Sequence, residues 1–150
     1  MSSAQRSWGA VLALVLATAM AACSNDSGIE SYCAEVADQQ TPLTEAAASG
    51  PTGLLEALPS FEALRAKSPA DIADAWTVVV QRVTVLSDAL GDAGVDPASY
   101  DPDQPPAGVT DDDQAAIAAA ATGLLTEAMR DALDRVQQQA RDVCKTPLSL

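Results

Sequence analysis

Histidine is absent from the 150-residue chain. That excludes imidazole as general base, nucleophile or metal ligand, and leaves Ser or Cys nucleophiles without their usual base. Aromatic residues are scarce: beyond Trp8 there are only Tyr32, Phe61, Trp76 and Tyr100. Little remains with which to build a stacking platform for bases or sugars. Cations are few as well, 8 lysines and arginines against 21 aspartates and glutamates, for a formal charge of −13. Nucleic-acid binding rests on Lys and Arg neutralising phosphates, so this balance points away from nucleic acid. The same charge repels anionic lipid headgroups. The chain holds no C-x-x-C redox motif and no EF-hand spacing. Nor does any apolar run reach the roughly 20 residues a bilayer-spanning helix needs.

What is present begins at the start. Residues Met1 to Ser7 are polar and carry one cation, Arg6, and Trp8 to Ala19 are apolar or small. A charged n-region followed by an h-region of about a dozen residues is the layout of an export signal. The run then reads Met20-Ala21-Ala22-Cys23, and here the segment resembles a bacterial lipoprotein signal peptide with its lipobox. The resemblance implies that the Cys23 thiol receives a diacylglyceryl group and becomes the new N-terminus. It implies Sec export, since no twin-arginine pair is present. It also implies a membrane partner through the lipid anchor, at the outer face of the cytoplasmic membrane in the cell envelope. A plain secretory peptide cut near Ala22 is the alternative. Residues 1–22 are then the signal peptide, 23–28 a polar tether and 29–150 one helical domain, a length within the single-domain range. All 21 acids and seven of the eight cations lie beyond residue 22, for −14 in the mature chain. Two acyl chains suffice for stable anchoring.

Of the three cysteines, Cys23, Cys33 and Cys144, lipidation of the first leaves one near each end of the mature chain. Outside the cytoplasm such a pair forms a disulfide. Two thiolates without histidine do not complete a tetrahedral metal site. The expectation is a structural Cys33–Cys144 bond, with no metal and no cofactor.

Periodicity predicts four helical segments. The first spans Ile29 to about Ala48, with Ile29, Cys33, Val36, Ala37 and Gln40 on one face and an interruption at Pro42. The second, Leu54 to Ala66, carries Leu54, Leu55, Leu58, Phe61 and Leu64, with a kink or fresh start at Pro59. The third opens at Ser68-Pro69-Ala70-Asp71 and runs to about Gly91, with Ile72, Trp76, Val79, Val80, Val83, Leu86 and Leu90 inward. Its valine-rich centre is β-prone, but the flanking pattern is helical and no partner strand is evident. Val95 to Thr110 reads as a long loop contributing little to the core. Thr110 caps a fourth helix reaching about Cys144, some 50 Å long, with Ile117, Ala121, Leu124, Ala128, Ala132, Val136, Ala140 and Val143 inward. The sum is an all-α fold, a small helical bundle of about four helices with one disulfide. An early Cys33, the run from Pro69 to Trp76, the Ala93-Gly94-Val95-Asp96-Pro97 turn and a terminal Cys144 resemble small Ala-rich exported helical proteins of actinobacteria. That resemblance implies fold and compartment and brings no chemistry.

Asp92, Asp96, Asp101, Asp103 and Asp111 to Asp113 are candidate Ca²⁺ ligands, but loop solubility and helix capping account for them better. Carboxylate pairs for glycoside hydrolysis lack a supporting aromatic cluster. Trp76, on a helix face, reads as core. The functional expectation is a non-enzymatic, lipid-anchored module that binds an envelope protein through the 95–110 loop or an exposed helix face. The alternative is a carrier or sensor holding a small or lipid-like ligand between helices. A cavity on the order of 300 Å³ would favour the carrier, and an exposed apolar patch the module.

Overall fold

The computed structural model describes residues 24–150 except 98, 99, 102 and 103. The described residues are all-α, without strands: α1 is Ser24–Ala48, α2 Gly53–Glu56, α3 Leu58–Lys67, α4 Ala73–Asp92, α5 Asp111–Leu124 and α6 Glu127–Asp142. A 3₁₀ turn, Gly50–Thr52, precedes α2. Helix α4 is the hub, packing against α2, α3, α5 and α6, while α1 lies on α2 and α3.

Helix α4 takes this place because it is apolar on more than one face. Ala75, Trp76, Val79, Val80, Val83 and Leu90 are all buried, and this breadth overrides the β preference of the valines. Trp76 is fully buried, its ring 6.1 Å from that of Phe61 on α3. Its indole Nε1–H donates to the Tyr32 hydroxyl on α1 over 2.9 Å. Tyr32, Val36, Leu43 and Ala46 are the buried face of α1, a stripe offset by about one residue from the one expected; Ala37 is exposed.

Four boundaries bear on the expected segments. Helix α1 already begins at Ser24, so residues 24–28 are its first turns rather than a separate tether, and it passes through Pro42 without stopping. Proline removes the bond to the Asp38 carbonyl, which costs about 3 kcal/mol in a helix interior. Here Asp38 and Pro42 are both exposed, so solvent can serve that carbonyl, and burial of Leu43 and Ala46 beyond the break holds the helix on course. Second, Ser68 closes α3 instead of opening α4, donating its hydroxyl to the Arg65 carbonyl at 2.8 Å. The Pro69 carbonyl accepts from the Ile72 and Ala73 amides at 3.1 Å each, and α4 starts only at Ala73.

Third, the fresh start expected at Pro59 is found: Leu54–Ala66 divides into α2 and α3, with Pro59 in the first turn of α3, where its missing N–H is harmless. Gly53 starts α2 against the end of α1: a Cβ there would strike the Ala46 carbonyl oxygen. Fourth, the expected 50 Å helix is also two. Thr126 is the N-cap of α6, accepting from the Met129 amide at 3.3 Å and donating to the Gly123 carbonyl at 3.0 Å. Ala132, Val136 and Ala140 face inward as expected, and Met129 joins them, while Ala128 is exposed, Leu125 is 77% and Val143 44% exposed.

The fold yields two predictions. Cys33 and Cys144 are bonded, with 111 residues of separation. In the chain-entropy model a loop of that size is worth about 4–5 kcal/mol. Replacing both by serine is expected to lower the thermal midpoint by on the order of 10–20 °C with helical circular dichroism retained; an unchanged midpoint would show the bond is dispensable. The second concerns Tyr32, whose phenol is pushed above its ordinary range by burial. Its neutral form is the one that folds, so its contribution is complete below the unfolded pKa of about 10 and is lost as pH rises beyond it. Tyr32→Phe leaves the Trp76 N–H without its acceptor and is expected to cost about 1–3 kcal/mol at neutral pH. Chemical denaturation from pH 7 to 11 should also show a shallower alkaline loss of stability in the variant than in the wild type.

Candidate functional site

Cys23 lies outside the described residues. Cys33 and Cys144 meet as expected, their Cα atoms 5.0 Å apart. Beyond Cys144 the chain reverses at Lys145, which has φ +56°, and the Thr146 amide returns to the Ala140 carbonyl at 3.1 Å. The last residues then cross α1, where Gln40 Nε2 donates to the Pro147 carbonyl and Leu148 is buried. The disulfide thus has a structural setting, fastening the end of α6 and the tail onto α1. Trp76 is core.

Of the acidic candidates, Asp92 and Asp113 border one trough between α4 and α5. Asp113 works as a cap: its carboxylate accepts from the Thr110 amide at 3.0 Å, and the Thr110 hydroxyl oxygen accepts from the Asp113 amide at 3.2 Å. Hydrogen bonding to Thr110 holds its carboxyl below the usual carboxylate range. Among the described residues no three His, Cys, Asp or Glu side chains form a group that could hold a metal ion; Asp103 lies outside the described residues. Arg135 places its fork on Asp74 at 2.9 and 3.0 Å and on the Asp71 carbonyl at 3.0 Å.

The 95–110 loop contributes more than expected. Gly94 has φ +68°, and the Val95 amide bonds back to the Leu90 carbonyl at 2.9 Å. That turn drops Val95 into a second apolar cluster with Leu90 and Ile117, against which Tyr100 and Val109 also pack. The expectation of a loop with little core is corrected at these positions: residues 101 and 104–108 are exposed, while Val95, Tyr100 and Val109 help to hold α5 on α4.

Two open troughs flank the outer face of α4. One, of about 590 Å³, runs between α4 and α5 over Val85, Ala89, Ala116 and Ala119, with Asp88, Asp92 and Asp113 at its rim. The other, of about 600 Å³, lies towards α3 and α6. Val85, 52% exposed, and Arg82 border both. A smaller notch of about 270 Å³ between the 71–72 turn and α6 includes Gln139, whose side-chain amide has no hydrogen-bond partner within the protein.

Helix α5 is the unusual surface. Only Ile117 and Ala120 are buried, yet Ala115, Ala116, Ala118 and Ala119 are exposed and no charge occurs from Gln114 to Thr126. A helix that is apolar all round is normally covered on all sides. Helix α6 shows how the same chain makes a solvated face: Arg130, Asp131, Asp134, Gln138, Arg141 and Asp142 are all exposed. The signal that separates them is the Thr126 cap.

Two loop variants separate the loop's anchoring end from its solvated middle. Val95→Ala removes two buried methyl groups and is expected to cost about 2 kcal/mol. Deleting residues 104–107, exposed throughout, should move the midpoint by no more than a degree or two on the scale of surface changes. Thermal denaturation followed by circular dichroism checks both. No family model, curated protein or solved structure matches the chain.

Proposed function

We propose that this chain is an exported lipoprotein, held by acyl chains on Cys23 at the outer face of the cytoplasmic membrane, and that it acts as a non-enzymatic protein-interaction module. The observation that carries the interaction reading is the exposed, uncharged face of α5 and the trough beside it. Contiguous apolar surface on a small domain is characteristic of sites that other molecules cover. The troughs exceed the volume a small-molecule site needs, but they are open, and Ala116 and Ala119 on the floor are exposed. Ligand pockets bury most of the ligand's surface, so the geometry supports a broad contact with another macromolecule over a carrier holding a ligand between helices.

The anchor reading rests on Met20-Ala21-Ala22-Cys23. No helix among the described residues is long and apolar enough to cross a membrane. Ser24, the residue after the lipid site, is already helical, so the bundle would stand close to the bilayer. Its excess of acids keeps the protein surface off anionic headgroups while the lipid holds the end.

Two measurements test the reading. Cells fed a labelled fatty acid should label the wild type and not Cys23→Ala; label retained in that variant overturns the anchor. For the interaction, a photo-crosslinking side chain in place of Ala119 is compared in intact cells with one in place of Gln138 on α6. A discrete protein adduct at 119 and none at 138 is expected, and no adduct at either position overturns the module.

A further inference from the structure

The trough between α4 and α5 is charged in a way that selects its occupant. The two helices run antiparallel: Leu90 packs with Ile117 in one cluster, and a Cβ on Gly123 would sit 3.5 Å from Arg82 Nη1. Arg82 therefore marks one end of the trough. Asp88 lies towards the other end, where Asp92 and Asp113 close it. Asp111 and Asp112, in the same first turn of α5, extend the acidic end. Between the ends the floor is made of small apolar residues, Ala89, Ala116 and Ala119, with Val85 at the side. Small residues let a second backbone approach closely, and an open apolar channel along two helices suits a third helix laid into it.

We propose that this trough docks a cationic amphipathic helix of a partner protein, its apolar stripe on Ala116 and Ala119 and its Lys or Arg side chains at Asp88, Asp92 and Asp113. The proposal deepens the interaction-module reading and rests on it. Charge separates this occupant from the others. A second copy of the chain would bring its own acidic rim, and each copy carries a formal −13, so self-pairing opposes like charges. An anionic bilayer meets the same repulsion. A helix with lysines flanking an apolar stripe gains at Asp88, Asp92 and Asp113, with an encounter rate that falls as salt rises.

The probe is a synthetic amphipathic peptide of about 18 residues, five helical turns, with a Leu/Ala stripe flanked by lysines. Its twin carries glutamate at each lysine position. Binding is read by fluorescence anisotropy on the full chain in neutral detergent. Ala119→Lys puts a long cation in the floor of the trough, and Gln138→Lys adds the same charge on the exposed face of α6. Circular dichroism establishes that both variants fold. The expected result is binding of the lysine peptide to wild type and Gln138→Lys, a loss of about tenfold or more in Ala119→Lys, and no binding of the glutamate peptide. Equal affinity for the two peptides, equal weakening in both variants, or no lysine-peptide binding overturns the proposal. So does wild-type self-association in sedimentation equilibrium that Ala119→Lys abolishes, which would make the occupant a second copy. Co-sedimentation with phosphatidylglycerol vesicles that Ala119→Lys abolishes would make it a membrane, and overturns it equally. A protein adduct at position 119 in cells without lysine-peptide binding would reject the cationic helix and leave the module reading standing.

Discussion

An indole buried in the middle of a small domain must find an acceptor for its N–H, and in this protein that requirement sets the arrangement of three helices. Trp76 sits on α4, is wholly buried, packs on Phe61 of α3 and donates to Tyr32 of α1. An unmet N–H at this depth would cost a substantial part of the stability of a small domain. The hydrogen bond thus fixes the height of α1 relative to α4, and the aromatic contact fixes α3 between them. Helices α5 and α6 then cover the remaining apolar faces of α4, one towards each end.

What could be read from the sequence is what local chemistry decides. The capping box at Thr110 and Asp113 and the inward stripe of α4 follow from residue type and spacing, whereas the pairing of Cys33 with Cys144 was reached by setting Cys23 apart, as the lipobox resemblance implies. What could not be read depends on burial elsewhere. Pro42 argues for a break, and only the burial of Leu43 and Ala46 against other helices overrules it. Ser68-Pro69-Ala70-Asp71 has the composition of a helix start, yet the serine is engaged by the end of α3. Tyr32 reads as polar until Trp76 is placed beside it. The fourth segment departs furthest from expectation: the apolar pattern continues across residues 124–127, yet the Thr126 cap divides it into two helices.

The candidate site was legible in outline only. An exposed helix face could be anticipated from the absence of catalytic groups and the long alanine run. Which helix carries it could not, because alanine is compatible with burial and exposure alike. The decisive contrast is between neighbours. Helix α6 clothes its outer face in charge, while α5, equally outward, is bare between an acidic first turn and the α6 cap. Composition averaged over both conceals this, and the trough with its rim appears only once α4 and α5 are set side by side.

The Cys33–Cys144 bond also changes the topology of the chain. It converts everything between those residues, including the long 93–110 connection and every junction between helices, into one covalent ring. A single proteolytic nick inside the ring linearises it without parting it, since both fragments stay tethered through the cystine. Under oxidising conditions the segment before Cys33 therefore cannot be shed from the bundle by one cut in the exposed loop, and release requires either a second cut or a reductant.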